Sequence, residues 1–358
     1  MRSKAIFATV GFVAVALLAA GCGQSGSVGN SAESFPNSGE SPAPGGKVTA
    51  YCSMSEVDCQ QIVEDFTTDT GITVDYVRMS VGENYARIQA EADNPQASLW
   101  IGGSAETYVE AAVNNLLEPY EPNGLDKIDE IYRDPDNFWI PTSSAPVAFA
   151  SNTALIEELG IDPPDSWEDL ADPKLANSVV LAHPASSGTG AAVMSTLVQL
   201  YGEEKGFDVM KRIDANVAQY TRSGGAPTRM VGLGEAAVSA SYVMDVELGM
   251  AEGFDITPSF PQEGTGFGIN AAALIKGGRE NEAAGARAFL DWVLTENGQK
   301  SMMKTFWRPI VPGIMNSTSR VDTSGIKLID YNTFWAGENR TRLIELFEDR
   351  IRHGSDAQ

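Results

Sequence analysis

The sequence has little with which to hold a metal or drive catalysis. Among 358 residues there are two histidines, His183 and His353, and three cysteines, Cys22, Cys52 and Cys59. No CxxC or HExxH pair occurs, so the common zinc and metalloprotease arrangements are excluded. Nor is there a GxSxG elbow. A secreted serine hydrolase would have to use Ser186 or Ser187 with His183, and a base in the same turn as its nucleophile is poorly placed. Positive charge is also scarce: 25 Lys and Arg face 48 Asp and Glu, a net charge of −23. That balance excludes nucleic acid or an anionic lipid surface as partner. An anionic ligand would have to be held by local dipoles and a few placed cations.

The apolar run Ala5–Ala20 is short for a membrane span. Arg2 and Lys4 precede it and small residues follow, ending in Gly21-Cys22, the layout of a secretory signal. The ending LAAGC resembles a bacterial lipobox. It predicts a lipoprotein signal peptide over 1–21 and acylation of Cys22, with more than one acyl chain holding the protein to a membrane without a spanning helix. Residues 23–46 are rich in Gly, Ser and Pro and poor in apolar side chains. Such a stretch cannot bury enough surface to fold, and residues 22–46 read as a tether reaching roughly 25–30 Å. Cys52 and Cys59 remain. In an exported protein they can form a disulfide between a strand end and the first turns of a helix; free buried thiols are the alternative.

From Lys47 onward roughly 310 residues remain, suited to two lobes rather than one core. Strands and helices alternate. KVTAYCS reads as a strand, the tract to Gly71 as a helix, ITVDYVRM as a strand, GENYARIQAEADNP as a helix, ASLWIGG as a strand and AETYVEAAVNNLL as a helix. This rhythm predicts a right-handed, mostly parallel sheet flanked by helices. Residues 139–153 read as an extended crossing between lobes. A second unit follows: a helix over 154–159, strand SVVLAH, the helix after SSGTG, strand NVAQYT, a helix over 227–233 and a strand over 236–245. GTGFGINAAALIKG crosses back, and residues 283–304 read as one long amphipathic helix. No internal repeat is found.

The ordered phrases YCSMSEVDCQQIVEDFTTDTGI, SGTG, YTRSGGAP, GEAAV and GFGINAAALIKG resemble the ferric-iron-binding-like branch of ABC-importer solute-binding proteins. The resemblance covers essentially everything from Lys47 onward. It implies a type II periplasmic-binding-protein fold, in which two doubly wound α/β lobes are joined by a two-segment hinge. Lobe 1 would comprise residues 47–147 and 268–325, lobe 2 residues 148–267, with a C-terminal helical segment, 326–358, packing on the lobes. The branch includes binders of ferric iron, aminoethylphosphonate and sugar phosphates.

In doubly wound sheets, ligands sit beyond the carboxyl ends of strands, where helix N-termini converge. The loop Ser186-Ser187-Gly188-Thr189 meets that description. Hydroxyls and helix-start N–H groups make an anion cradle without formal charge, or else only a helix cap. Ser53 and Ser104 end strands, and Thr142 and Ser143 sit on the crossing segment. Arg222 and Ser223 lie in a loop before a helix, where Arg222 can fork onto an oxyanion. Iron-binding members place adjacent tyrosines where this chain has Tyr242 followed by Val243, so a trivalent cation would be poorly served. In sugar-phosphate binders resembling this sequence, the acid matching Asp245 accepts hydroxyl hydrogen bonds, and its partner would match Glu263. Both are otherwise ordinary solvated acids.

The expected protein is a receptor, not an enzyme, exported and lipid-anchored on the outer face of the cytoplasmic membrane or in the periplasm. It is a monomer without a cofactor or resident metal, captures a small anionic solute with a hydroxyl- or amine-bearing end, and delivers it to an ABC permease. A ferric-iron receptor is the alternative, and the serine hydrolase a remote one.

Overall fold

The computed structural model describes residues 46–352. The expected signal peptide, the acylation site at Cys22, the tether up to residue 45 and the end from residue 353 lie outside them. β1 (Lys47–Cys52) leads to α1 (Glu56–Thr70). Ser55 starts that helix by accepting the Asp58 N–H, and Gly71 ends it at φ 73°, the left-handed conformation glycine adopts without steric cost. One face of α1 buries Ile62, Val63 and Phe66. β2 (Thr73–Arg78) is followed by α2 (Val81–Ala90), which opens on a reciprocal capping box between Ser80 and Glu83. β3 (Leu99–Ser104), α3 (Ala105–Val113) and the short β4 (Leu117–Glu118) complete this half.

β5 (Ile140–Asn152) is the crossing segment. Its first part, Ile140–Pro146, pairs antiparallel with β10 (Phe267–Ile275). Its second part, Val147–Ser151, pairs antiparallel with β8 (Val238–Tyr242), and residues Phe149–Asn152 also with β9 (Ile256–Ser259). Between them the chain forms α4 (Thr153–Leu159), β6 (Val179–Ala182), α5 (Gly188–Tyr201), α6 (Glu203–Asp214), β7 (Val217–Thr221), α7 (Ala226–Gly232) and, after β8, α8 (Val243–Ala251). The strand order is β2-β1-β3-β10-β5-β8-β6-β7, with β4 on β10 and β9 on β5. Parallel sets β2-β1-β3 and β8-β6-β7 thus lie on either side of the two crossing strands. This is the type II arrangement of two α/β lobes and a two-segment hinge. α11 (Thr333–Glu338), α12 (Arg340–Phe347) and a π-helical turn (Glu348–Arg352) close the described chain. Tyr331 donates to Glu106 of α3 at 2.7 Å, and buried Arg340 donates to Glu110 of α3 and to the Ala185 carbonyl ahead of α5.

Two boundaries differ from the sequence reading. Residues 283–304 form two helices, α9 (Ala283–Val293) and α10 (Glu296–Met303). Thr295 breaks the run: its hydroxyl donates to the Trp292 carbonyl and accepts the Gly298 N–H, and a side chain that caps a new helix competes with continuation of the old one. The strand expected over 236–245 ends at Tyr242, and Asp245 lies in the first turn of α8.

Two residues further along α8, fully buried Glu247 pairs with Arg308 and accepts hydrogen bonds from the Ser319 hydroxyl and the N–H groups of Arg320 and Val321. Arg308 itself is bonded through its backbone to Ser144 of β5. One carboxylate therefore fastens the segment after α10 to the helix that carries Asp245. Removing one partner of a buried ion pair strands the other, so Glu247→Ala is expected to cost about 3–5 kcal/mol of unfolding free energy. Urea denaturation of the two proteins measures this, and a loss below about 1 kcal/mol would remove Glu247 as the anchor.

Candidate functional site

A cavity of about 390 Å³ lies where the two halves face each other. Ser53, Ser104, Ser186, Ser187, Gly188, Thr189, Arg222, Ser223, Tyr242 and Asp245 all line it. These residues come from loops at the carboxyl ends of β1, β3, β6, β7 and β8, where the strand-to-helix turns converge.

The loop before α5 forms one wall. Ser187 caps the helix by accepting the Gly190 N–H at 3.4 Å, while the Ser186 hydroxyl is buried without a hydrogen-bond partner. The N–H groups of Gly188 and Thr189 belong to the first turn, where no preceding helix carbonyl takes them. Gly188 meets the opposite half directly: a Cβ there would stand 2.6 Å from the Ser104 Oγ. The YTRSGGAP loop lies against this wall through its two glycines. A Cβ on Gly224 would strike the Thr189 hydroxyl, and one on Gly225 would come within 2.7 Å of the Asp245 carboxylate. Side chains at either position would fill the space beside the polar groups they expose.

Ser53 supplies a hydroxyl whose proton direction is set by its neighbours. Its Oγ accepts from Asn84 Nδ2 and from Trp100 Nε1, both at 2.8 Å. With both lone pairs engaged, the Ser53 O–H is left as a donor. Tyr242 Oη, Thr228 Oγ1 and Trp307 Nε1, also on the cavity, are buried without partners. Burial pushes the Tyr242 phenol well above its ordinary value of 10, with the charges of Glu106 and Asp245 adding to it, so it stays a neutral donor. Buried polar groups are nearly always satisfied in native proteins, and this concentration of unpaired donors marks a place built for a polar guest.

Acidic groups stand beside these donors. Burial raises the Asp245 carboxyl from 3.8 to about 7, with the charge of Asp58 contributing. Asp58, itself buried, is raised by the same desolvation, partly offset by hydrogen bonds from Thr305 and Ser55.

The sequence reading missed Asp58 because an acid in the first turn of a helix usually serves the helix dipole. It missed Arg78, which ends β2 on the cavity with Nε donating to the Met54 carbonyl at 2.9 Å. It also missed Asn270, which lines the cavity and accepts the Gly103 N–H at 2.8 Å. Arg222 lies at the cavity edge, largely exposed and paired with Glu83 of the other half. Three expected ligand residues are not on the cavity. Thr142 and Ser143 are buried in β5, and the Thr142 hydroxyl donates to the Asn270 carbonyl. Glu263 accepts hydrogen bonds from Ser166 and Tyr201, which hold it away from the cavity wall. His183 does not serve a nucleophile: its Nδ1 accepts the Ala185 N–H and its Nε2 meets Glu348. Cys52 and Cys59 are disulfide-bonded, and Ser53, Met54, Ser55 and Asp58 of the cavity wall all fall inside the loop they close. Among the described residues, no group of three or more His, Cys, Asp or Glu side chains is gathered for a metal ion.

A doubly lobed α/β fold with a polar cavity between its halves defines a solute-binding protein. The family comparison agrees, with the model for bacterial extracellular solute-binding proteins matching residues 61–323; the chain belongs to that family. It is 32% identical over 352 residues to an uncharacterized protein of Haemophilus influenzae, covering 95% of this chain and 96% of that one. A Salmonella paratyphi A protein, provisionally named as a 2-aminoethylphosphonate-binding periplasmic protein, is 29% identical over 189 residues, 52% of each chain. The solved periplasmic binding protein AfuA from Actinobacillus pleuropneumoniae, with exogenous fructose-6-phosphate bound, superposes with a TM-score of 0.81 at 32% identity. That match covers 86% of this chain and 99% of AfuA.

The raised Asp245 carboxyl carries a stability consequence. The folded protein holds its proton more tightly than the unfolded chain between about pH 4 and 7, so this group disfavours folding increasingly as pH rises through that window. Without ligand, Asp245→Asn should raise stability at pH 8 by about 1–3 kcal/mol and change little at pH 4. Thermal melts at the two pH values check this, and equal effects at both would show that the carboxyl is not desolvated.

Proposed function

We propose that the protein is the solute receptor of an ABC importer, exported and held at the membrane by acylated Cys22. It captures a small anionic solute, a phosphate, phosphonate or carboxylate bearing a hydroxyl or amine, and presents it to the permease. Residues 47–147 with 268–325, and residues 148–267, would be the lobes that clamp it, with the segment after residue 325 packed on both. The anionic head sits on the Ser186–Thr189 loop with Ser53 and Ser104 facing it, and the donor-bearing end reaches Asp245. The observation that carries this reading is the group of hydroxyls on the cavity without partners in the protein, Ser186 above all. The similarity to a relative provisionally named as phosphonate-binding and to a structure with fructose-6-phosphate bound supports it. An iron receptor is served less well, since Tyr242 is a lone, buried phenol held protonated.

The attraction must be short-range. The chain carries −23, so its long-range field repels an anion, and salt screens that repulsion over about 10 Å. Affinity for the anion should therefore hold or rise slightly with ionic strength, the reverse of a site built on a basic patch; calorimetry across a salt series measures it. Native mass spectrometry of freshly purified protein identifies the solute.

The loop itself is tested by Ser186→Ala with Thr189→Ala. Two charge-assisted hydrogen bonds are lost at about 1.5 kcal/mol each, so the dissociation constant should rise more than tenfold while the melting curve of the ligand-free protein barely moves. Unchanged affinity would reduce the loop to a helix cap.

A further inference from the structure

The junction between Ala185 and Ser186 is fastened from outside the cavity. Ser186 carries the buried hydroxyl without a partner in the protein, and the direction of that hydroxyl is set by the peptide before it. The Ala185 carbonyl of this peptide accepts from Arg340 Nη2 at 3.2 Å, and its Ser186 N–H donates to the His183 carbonyl at 3.2 Å. One peptide earlier, the Ala185 N–H donates to Nδ1 of the His183 ring, also at 3.2 Å. Both backbone groups of Ala185 are thus taken by side chains, neither of which lines the cavity. Arg340 is 5% exposed and places Nη1 on Glu110 of α3 at 3.0 Å, so it joins this loop to a helix of the other half. That half also limits the junction sterically. A Cβ on Gly82, in the first turn of α2, would stand 2.4 Å from the Ala185 oxygen and 3.2 Å from the Ser186 Cα.

The imidazole is as narrowly placed. Its Nε2 lies 3.1 Å from Glu348 in the π-helical turn, and its ring meets Phe347 of α12 and Tyr220 of β7 edge to face, centroids 5.5 and 5.9 Å away. The remaining charges on this side are Arg352 and Asp214 of α6, which pair with each other, Asp214 also accepting the Tyr220 hydroxyl. An Nδ1 that accepts an N–H carries no proton, so the ring hydrogen is on Nε2 and faces Glu348. A second proton would set an N–H against the Ala185 N–H and break that bond. We infer that His183 and Arg340 are positioning residues of the binding site. They fix the Ala185–Ser186 peptide so that the Ser186 hydroxyl is presented to the anionic head, and they do so only while the imidazole is neutral. The inference rests on the anion reading of the Ser186–Thr189 loop, and it makes the C-terminal segment from Arg340 to Glu348 part of what sets affinity. Burial holds the ring in place below its ordinary 6.5, with the charge of Glu348 opposing and that of Arg352 adding. A ring released from the loop takes its proton at about 6.5. Protonation therefore favours release, and affinity falls as pH drops below about 6.5.

Calorimetry on the purified protein with 2-hydroxyethyl phosphate and with 3-hydroxypropanoate tests this. His183→Leu removes the acceptor and should raise the dissociation constant of the better-bound probe about fivefold or more at pH 8. His183→Asn returns an acceptor to the place of Nδ1 and should bring the constant back to within about threefold of the parent. Between about pH 8 and pH 5 the parent should lose roughly threefold more affinity than His183→Asn, because only the parent has an imidazole to protonate. Titration of the probe and of Asp245 is common to both proteins and cancels in that comparison. Arg340→Lys keeps a cation on Glu110 but gives up the second donor, and should weaken binding about three- to tenfold. In a Ser186→Ala background each substitution should change affinity less than about twofold, as residues that act through one hydroxyl must. Parallel pH profiles of the parent and His183→Asn, His183→Asn binding no better than His183→Leu, or effects that persist without the Ser186 hydroxyl overturn the positioning role while leaving the anion reading in place. If His183→Leu does not fold, the pH profile of His183→Asn decides. Binding of neither probe overturns both readings.

Discussion

Everything in this protein hangs on the two strands that pass through its middle. β5 hydrogen-bonds to β10 along its first half and to β8 and β9 along its second, so a single extended segment belongs to the sheets on both sides. Two sets of parallel strands, each wound with its own helices, are thereby joined through shared hydrogen bonds. The carboxyl ends of their strands are turned toward one another, and the cavity is what lies between. The bulge in β10 beside Asn270 bends this seam where Asn270 also fixes the Gly102–Gly103 turn on the cavity wall.

The electrostatics follow from that placement. A chain with −23 charges cannot collect an anion from a distance, and the wall at the Ser186–Thr189 loop is made of hydroxyls and helix-start N–H groups whose effect is confined to contact range. The same enclosure that strengthens these donors makes every unpaired carboxyl expensive, which is why Asp245 and Asp58 both hold their protons above the usual range. The cavity thus joins a donor-rich wall at the Ser186–Thr189 loop to two acids, Asp58 and Asp245, with Arg78 and Arg222 also on its lining.

Anchoring outside the cavity keeps these groups in position. The disulfide between Cys52 and Cys59 closes the loop that carries Ser53 and Asp58; Glu247 ties α8, and with it Asp245, to the segment that includes Arg308; Arg340 reaches from α12 to both α3 and the carbonyl of Ala185. The disulfide is a local constraint between residues seven apart in sequence, whereas Glu247 and Arg340 draw on parts of the chain distant in sequence.

The alternation of strands and helices, the crossing segment and the SSGTG loop were legible in the sequence, because each is written in short-range signals: apolar periodicity, caps and glycines at strand ends; the two-lobed architecture came from the chain's length and from the family resemblance. The break at Thr295 was not, since a long apolar period outweighs a single capping residue until the chain is packed. Glu263 was expected as a ligand from the resemblance to sugar-phosphate binders, and the folded chain turns it toward Ser166 and Tyr201. Nothing local distinguishes Asp58 from any acid in a first helical turn, or Arg78 from any cation at a strand end. By itself the sequence determined which segments would be strands, helices and polar loops, because those depend on neighbours along the chain. Which acids share one enclosed space, which arginine is already neutralised and which hydroxyls are left without a partner depend on contacts across more than a hundred residues of sequence, and only the tertiary structure decided them.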